Sequence, residues 1–212
     1  MLGMKAQDTM LGTYSYHGNV RIVVACKDFT SPNVSIMDFA SVKNQIIDSL
    51  SNGYGTDLFD ILDTIEKQTV VNSKELKEYF WNMFIIDAFI GNWDRHNGNW
   101  GFLYNQETDE MKIAPIFDCG SALFPQIDEQ TIKKVLSSKS EMNARVFDVP
   151  TSAINIKGKR INYYRFITSN NYPDCREAVK RITPKIKLNE IGFIIDEVEQ
   201  LSNLQKDFLK KY

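Results

Sequence analysis

Cysteine and histidine are scarce in this chain of 212 residues, and their scarcity excludes several kinds of site. The three cysteines, Cys26, Cys119 and Cys175, are widely spaced and form no CxxC pair. Neither a disulfide framework nor a zinc knuckle is therefore expected. The only histidines are His17 and His96. Two-metal hydrolases built on Asp, His and Asn ligands need more histidines than this, so that enzyme class is excluded as well.

Long apolar runs and an excess of one charge are also missing. No apolar run is long enough to span a bilayer, and residues 1–5 lack the apolar core of a signal peptide. Lys plus Arg number 25 and Asp plus Glu 27, for a net charge of −2, without the basic excess of nucleic-acid binders. We therefore predict a soluble, cytoplasmic protein that binds neither nucleic acid nor membrane. Hydrophobic residues make up 43% of the chain, enough for one large domain or two small ones.

The first thirty residues favour β-strands. Residues 9–16 and 20–25 are rich in β-branched and aromatic side chains, and the turn residues His17, Gly18 and Asn19 lie between them. This pattern predicts a β-hairpin. The S-P-N sequence at residues 31–33 then predicts a loop.

Helices dominate the rest of the chain. Apolar residues at helical spacing predict helices over residues 35–50 and 57–67, and a third helix that has Ser73 as its N-cap and ends at Gly91. The second half of this third helix is apolar nearly all round, so we expect it to be central and buried. Short strands are predicted at residues 100–104 and 112–117. Further helices are predicted at residues 129–136, 161–168, 174–182, 189–200 and 204–212. The predicted fold class is α+β and mostly helical.

Two carboxylates and an amide surround the hairpin that follows the third helix. Asp94 and Asn99 lie five residues apart in the loop after the helix, and Asp118 follows the hairpin that returns to the same place. Oxygen ligands of this kind suit Mg²⁺ or Mn²⁺, with phosphate oxygens completing the shell. The remaining carboxylate can accept a proton from a hydroxyl group. The same spacing occurs in protein kinases, between a catalytic Asp, an Asn and a metal-binding Asp.

Three sequence blocks make a specific resemblance. G-N-W-D-R-H-N-G-N-W-G-F-L at residues 91–103 and A-P-I-F-D-C-G-S at residues 114–121 resemble the C-terminal part of the HipA-like serine/threonine kinase family, and are closest to its small CtkA type. V-V-A-C-K-D-F-T at residues 23–30 resembles the hinge of these kinases. The likeness covers essentially the whole chain. It implies a remnant small-lobe β-hairpin and hinge in residues 1–30, and a helical kinase-like large lobe in residues 31–212.

The resemblance also implies roles for residues in these blocks. Asp94 would be the catalytic base or would orient the acceptor hydroxyl, Asn99 and Asp118 would bind Mg²⁺, and ATP and a protein would be the substrates. The nucleotide-binding residues would be Lys27, Asp28 and Phe29, facing adenine mainly through backbone groups, and His96, Asn97 and Gly98, along the phosphates or the ribose. Alternatives stay open for some side chains. Those of Lys27 and Asp28 could belong to an exposed strand end, and His96 could hydrogen-bond the loop alone.

Three neighbours of these residues have structural interpretations. Arg95 is expected to brace the loop rather than touch substrate. Trp93 and Trp100 are expected to pack against the core rather than to stack on bases.

Two parts of a kinase small lobe are missing from the sequence. A kinase small lobe uses a Gly-rich loop over the phosphates and a strand lysine paired with a helix glutamate. Residues 1–8 contain one glycine and leave no room for another strand, so the chain is expected to begin inside the kinase domain. One contact of this kind with the phosphates contributes a factor of about 10²–10³ to the rate of phosphoryl transfer. Weak or absent activity of the chain alone is therefore predicted. The alternatives are a non-catalytic pseudokinase or partner-binding module, and half of a split kinase. In these cases an unpaired strand edge would bind a separate small-lobe polypeptide or a second copy of the chain.

Overall fold

The N-terminal hairpin is present as the sequence predicts. The computed structural model describes residues 2–47 and 51–212. Its strands β1 (Thr9–Tyr16) and β2 (Asn19–Cys26) pair antiparallel, with Thr9 opposite Cys26. The two turn residues, His17 and Gly18, have φ angles of 47° and 77°, as a two-residue hairpin turn requires. Most residues of both strands are solvent-exposed.

The prediction of one helix over residues 35–50 is wrong in its first part. Val34–Asp38 forms strand β3, and helix α1 spans Phe39–Ile46, while residues 48–50 lie outside the described residues. Strand β3 pairs antiparallel with β4 (Gly101–Asn105), which in turn pairs with β5 (Glu110–Ile113). A Cβ atom at Gly101 would lie 2.3 Å from the carbonyl oxygen of Met37, so glycine permits this close approach. Pairing with a distant strand therefore overrides the local helical pattern.

Helix α3 (Ser73–Ile90) forms the centre of the molecule. Most of its second half is buried, as the all-round apolar pattern predicts. Its N-cap is Asn72 rather than the predicted Ser73, because the Asn72 side chain accepts a hydrogen bond from the N–H of Glu75 at 3.0 Å. The helix ends at Gly91, whose φ of 62° is left-handed. Helices α2 (Leu58–Lys67) and α7 (Pro173–Ile182) both contact it.

The C-terminal part contains a hairpin that the sequence analysis missed. Strands β6 (Thr151–Ile156) and β7 (Lys159–Asn162) pair antiparallel around a turn at Lys157 and Gly158, whose φ angles are 50° and 77°. The N–H of Asn155 donates to the carbonyl of Thr56 at 2.9 Å, which attaches this hairpin to the segment before α2.

The predicted helices are present with shifted ends. The other helical elements here are α4 (Glu129–Ser137), α5 (Lys139–Asn143), a short π-helix at Ala144–Asp148, α6 (Tyr163–Thr168), a short 3-10 helix at Thr183–Lys185, α8 (Leu188–Glu197) and α9 (Asn203–Lys211).

The cysteines and the helix lengths complete the description of the fold. Cys26, Cys119 and Cys175 are all free thiols, and Cys175 is buried. In residues 2–47 and 51–212, every helix is too short or too polar to cross a bilayer.

Candidate active site

The loop that carries Asp94 and Asn99 is anchored at both of its ends. At its start, the N–H of Asn92 donates to the carbonyl of Asp87 in α3 at 2.8 Å. At its end, the carbonyl of Trp100 accepts from the N–H of Phe39, the first residue of α1, at 2.9 Å. The rings of Trp100 and Phe39 stack with centroids 4.0 Å apart. The loop is therefore fixed between the C-terminus of α3 and the N-terminus of α1.

The side chains of Asp94, Asn99 and Asp118 keep oxygen atoms free. The Asn99 amide nitrogen donates to the backbone carbonyl of Asp94 at 3.0 Å, which orients the amide. Within the described ranges, the Asn99 amide oxygen and the two carboxylates accept no hydrogen bond. Across the same ranges, no three His, Cys, Asp or Glu side chains group as metal ligands. A metal here would therefore need the Asn99 oxygen and phosphate oxygens beside a carboxylate, a donor set that fits Mg²⁺.

Asp118 has an unusual backbone conformation. Its φ is 53°, in the left-handed region that Asp adopts more readily than most residues. The carbonyl of Phe117, just before it, accepts a hydrogen bond from the Arg95 guanidinium. The sulfur of Cys119, just after it, accepts another from Arg95 at 3.2 Å. One guanidinium thus holds the chain on both sides of Asp118, whose own side chain is exposed.

A buried ion pair lies beneath the loop. Arg95 donates Nε–H to Asp87 Oδ2 at 3.0 Å and Nη2–H to Asp87 Oδ1 at 3.1 Å, and these side chains are 1% and 2% exposed. Asn92 Nδ2 adds a hydrogen bond to Asp87 Oδ1 at 2.9 Å. Burial raises the pKa of Asp87, and Arg95 opposes that effect. Burial also acts against the Arg95 charge, but the Asp87 carboxylate raises the pKa of Arg95 above its usual value. The guanidinium is therefore a permanent buried cation.

Arg95 braces the loop as predicted, and Asp87 is a residue that the sequence analysis missed. A guanidinium Nη1–H of Arg95 donates to the carbonyl of Asn99 at 2.7 Å. The signal for Asp87 was present, because it is a carboxylate in the apolar segment F-I-I-D-A-F-I of α3. A buried carboxylate needs a charged or hydrogen-bonding partner.

The predicted hinge lies next to the segment that leads to Asp118. Residues 5–8 pair with Ile116 on one side through two backbone hydrogen bonds of 2.8 Å. On the other side, the N–H of Lys27 donates to the carbonyl of residue 8, also at 2.8 Å. The Phe29 ring contacts the Phe117 ring, with centroids 5.9 Å apart. The structure thus brings the predicted hinge residue Phe29 into contact with Phe117, the residue before Asp118.

The three hinge residues differ in which of their groups are free. The backbone N–H and carbonyl of Lys27 both form hydrogen bonds within the chain, and the carbonyl accepts from the Gln7 side chain at 3.1 Å. The Asp28 carboxylate accepts from the N–H and the hydroxyl of Thr30 at 2.8 and 2.7 Å, and these bonds lower the pKa of Asp28. The backbone N–H and carbonyl groups of Asp28 and Phe29 make no hydrogen bond with any described residue.

The three predicted nucleotide-binding residues of the loop also differ. Asn97 is buried, and its amide donates to two carbonyls of the segment at residues 51–55, at 2.8 and 2.9 Å. This placement argues against a direct nucleotide contact by the Asn97 side chain. His96 is half-buried, and its Nδ1 accepts from the N–H of Gly98 at 3.1 Å. The His96 ring lies against the Tyr54 ring, with centroids 6.5 Å apart.

The two tryptophans of the loop behave differently. Trp100 is buried as expected, but the prediction that Trp93 packs into the core is wrong, because it is 45% exposed. The guanidinium of Arg160 lies 5.8 Å from the Trp93 ring centre and donates to the Trp93 carbonyl. Arg160 belongs to β7, so the missed hairpin supports the residue that precedes Asp94.

Comparison with known proteins identifies the family. The chain is 47% identical, over 209 residues and 98% of its length, to the serine/threonine-protein kinase CtkA of Helicobacter pylori strain J99. It also matches the crystal structure of a Helicobacter pylori proinflammatory kinase CtkA with a TM-score of 0.93 and 48% identity, over 99% of this chain and 75% of that one. This chain belongs to the HipA-like serine/threonine kinases of the CtkA type. The family and the α+β, mostly helical kinase-like fold predicted from the sequence are therefore confirmed.

The match in sequence covers only part of the Helicobacter pylori kinase. The chain spans 63% of the length of the Helicobacter pylori kinase CtkA that it matches in sequence. No model of a protein family matches the chain.

Proposed function

We propose that this chain carries the catalytic loop and metal-binding residues of an ATP- and Mg²⁺-dependent protein serine/threonine kinase. In this proposal residues 31–212 are the large lobe, and residues 1–30 are the hinge and the end of the small lobe. The main support, beside membership of the CtkA type, is that Arg95 links the carbonyls of Asn99 and Phe117. Because Phe117 precedes Asp118, this link holds Asp118 close to the loop that carries both Asp94 and Asn99.

The proposed roles follow from which atoms are free. Asn99 Oδ1 and the Asp118 carboxylate would hold Mg²⁺, which when bound neutralises charge on the phosphate groups. The hydroxyl oxygen of a Ser or Thr acceptor would attack the γ-phosphorus, and ADP would leave. The acceptor proton would pass to the Asp94 carboxylate, which also orients the hydroxyl.

The nucleotide would lie between the hinge and the loop. Adenine would contact the free backbone groups of Asp28 and Phe29, and His96 and Gly98 would lie along the ribose or phosphates. The Lys27 backbone and the Asn97 amide already form hydrogen bonds within the chain. These two residues would therefore support the shape of the site without contacting the nucleotide through those groups. We further propose that the protein acts in the cytoplasm, since its cysteines are free thiols.

Titration calorimetry with Mg-ATP tests this proposal. We expect the native chain to bind Mg-ATP and Asp118→Asn to bind it at least about tenfold more weakly, since altering even the outer partners of a metal costs about that much. Asparagine has nearly the same size and tolerates the left-handed conformation, so the change removes mainly the charge.

Asp109→Asn is the matched control for this titration. Asp109 is exposed and has the same φ of 53°, but it lies in the turn between β4 and β5. The Asp109→Asn variant should bind Mg-ATP as tightly as the native chain does. Equal affinity of all three proteins, or no binding by any of them, would contradict the proposed site.

A second candidate function is that of a partner-binding module or one half of a split kinase. The β1–β2 hairpin supports it, because apolar side chains along both strands are exposed. Met10 is 70% and Val20 68% exposed, and Tyr16, Ile22 and Val24 are also exposed. An isolated two-stranded hairpin is marginally stable, and exposed apolar strands tend to pair with further strands. The occupant would be a separate small-lobe polypeptide or a second copy of the chain.

This candidate implies weak phosphoryl transfer by the chain alone. The sequence contains no G-x-G-x-x-G segment, and one phosphate contact of that kind contributes a factor of about 10²–10³. Phosphoryl transfer by the pure chain at the rate of an ordinary kinase would contradict this point.

Sedimentation velocity tests the hairpin surface. If a second copy covers it, the native chain should show dimers or larger species, and the double variant Val20→Lys, Ile22→Lys should be monomeric. Lysine is the residue that exposed strands commonly use to prevent pairing. A native chain that is monomeric at all concentrations would exclude self-association and leave the separate polypeptide.

A further inference from the structure

We propose that Arg95 is a positioning residue that sets the spacing and orientation of the two Mg²⁺-binding residues, Asn99 and Asp118. This inference rests on the proposed function of the site. It assigns to Arg95 a role in metal binding, although its own side chain contacts neither metal nor substrate in the proposed mechanism.

The contacts of Arg95 reach both metal-binding segments. One Nη1–H donates to the carbonyl of Asn99 at 2.7 Å, and Nη1 also donates to the carbonyl of Phe117. Nη2 donates to the sulfur of Cys119 at 3.2 Å. The first contact fixes the backbone of one metal ligand, and the other two fix the residues on both sides of Asp118. The relative placement of the two ligands therefore depends on one planar group.

The guanidinium cannot turn, because each of its five N–H donors has a partner. The two donors that do not reach the metal-binding segments form the paired contact with Asp87 in α3, at 3.0 and 3.1 Å. Asp87 is itself held by Asn92 Nδ2 at 2.9 Å, and the Asn92 carbonyl accepts from the Tyr163 hydroxyl at 2.6 Å. The orientation of the guanidinium plane is thus fixed by contacts that lead to the central helix α3 and to α6, both of which lie outside the loop.

The distribution of donors distinguishes this role from that of a simple core ion pair. A buried ion pair would be complete with the two contacts to Asp87. The other three donors instead go to the segments that carry Asn99 and Asp118. Arg181 offers a contrast: it contacts Asn82 at 3.1 Å and Glu78 at 3.5 Å, and so links α7 to α3 away from these segments.

Lysine cannot reproduce the arrangement at position 95. Its ammonium group is a compact charge with three donors, while the guanidinium presents five in a fixed plane. Arg95→Lys can keep the charge opposite Asp87 but cannot also hold both the Asn99 and the Phe117 carbonyls. Asp118 would then lose the contacts that support its left-handed backbone, and the metal ligands would lose their fixed separation.

Mn²⁺ binding measured by electron paramagnetic resonance tests the inference. Mn²⁺ is titrated into the chain in the presence of a non-hydrolysable ATP analogue, and the free ion is quantified. We expect Arg95→Lys to weaken Mn²⁺ binding by about 10–100-fold, as the loss of outer partners of metal ligands does. Arg181→Lys should bind Mn²⁺ as the native chain does. Ile182→Val, a packing change in α7, should reduce stability without changing Mn²⁺ affinity.

The outcomes separate this inference from the proposed function. A native chain that binds no Mn²⁺ with the analogue contradicts the proposed function, and this inference with it. Native-like Mn²⁺ binding by folded Arg95→Lys, together with loss of binding by Asp118→Asn, overturns the inference and leaves the proposed function in place. If Arg95→Lys does not fold, Cys119→Ala replaces it, because this change removes one contact beside Asp118 and leaves the buried pair intact. Weaker Mn²⁺ binding by Cys119→Ala than by Arg181→Lys then supports the inference, and equal binding overturns it.

Discussion

Asp94→Asn is expected to reduce phosphoryl transfer by about 10²–10⁴-fold, the usual contribution of a general base, and to leave Mg-ATP affinity nearly unchanged. The reason is that the proposed role of Asp94 is toward the acceptor hydroxyl and not toward the metal. Its backbone groups, rather than its carboxylate, hold the loop. The Asp94 carbonyl accepts from Asn99 Nδ2 at 3.0 Å and from the His96 N–H at 2.8 Å, and both bonds survive the substitution.

The measurement is transfer of radiolabelled γ-phosphate to a protein acceptor or to the chain itself, with Mg-ATP affinity measured in parallel. Asp63→Asn is a suitable control, because Asp63 is a partly exposed residue of α2 whose carboxylate pairs with Lys67. A parallel loss of rate and of Mg-ATP affinity in Asp94→Asn would instead make Asp94 a metal ligand. If the native chain transfers phosphate at a measurable rate and Asp94→Asn transfers it at the same rate, Asp94 is not part of the catalytic machinery.

Elements that are defined by local sequence could be predicted, and those that depend on distant pairing could not. The β1–β2 hairpin and the central helix α3 follow from turn residues and from an apolar pattern within a few neighbouring residues. Strand β3 was predicted as helix because its partner, β4, lies far along the chain, with Ile36 opposite Leu103. The β6–β7 hairpin was missed for a similar reason, since its attachment depends on the contact between Asn155 and Thr56.

The candidate site shows the same division. The motif spacing points to Asp94, Asn99 and Asp118, because kinase chemistry needs those oxygen atoms at that spacing. The spacing does not indicate which side-chain atoms already form hydrogen bonds within the folded chain. Asn97 lies within the same block, yet its amide is occupied by carbonyls of the segment at residues 51–55. The partnership of Asp87 with Arg95 is likewise a tertiary contact, although a carboxylate in an apolar helix indicates that some partner exists.

Asp87→Ala is expected to lower the free energy of unfolding by about 3–5 kcal/mol, the cost of leaving a buried charge without its partner. Arg95 would stay charged, since its charge is intrinsically hard to remove, and two of its five N–H donors would lose their acceptor. A domain of this kind is typically stable by about 5–15 kcal/mol. The substitution would therefore remove a large part of the total, as measured by urea denaturation.

Glu78→Ala is the matched comparison for this stability measurement. Glu78 lies on the same helix and pairs with Arg181 at 3.5 Å, but that pair is partly exposed, at 51% and 34%. We expect its loss to cost less than about 1 kcal/mol, as for other exposed pairs. The double variant Asp87→Ala, Arg95→Met should recover part of the loss of Asp87→Ala, because it also removes the unpaired charge. If Asp87→Ala cost no more than Glu78→Ala, the Asp87–Arg95 pair could not be what holds the loop that carries Asp94 and Asn99 to α3.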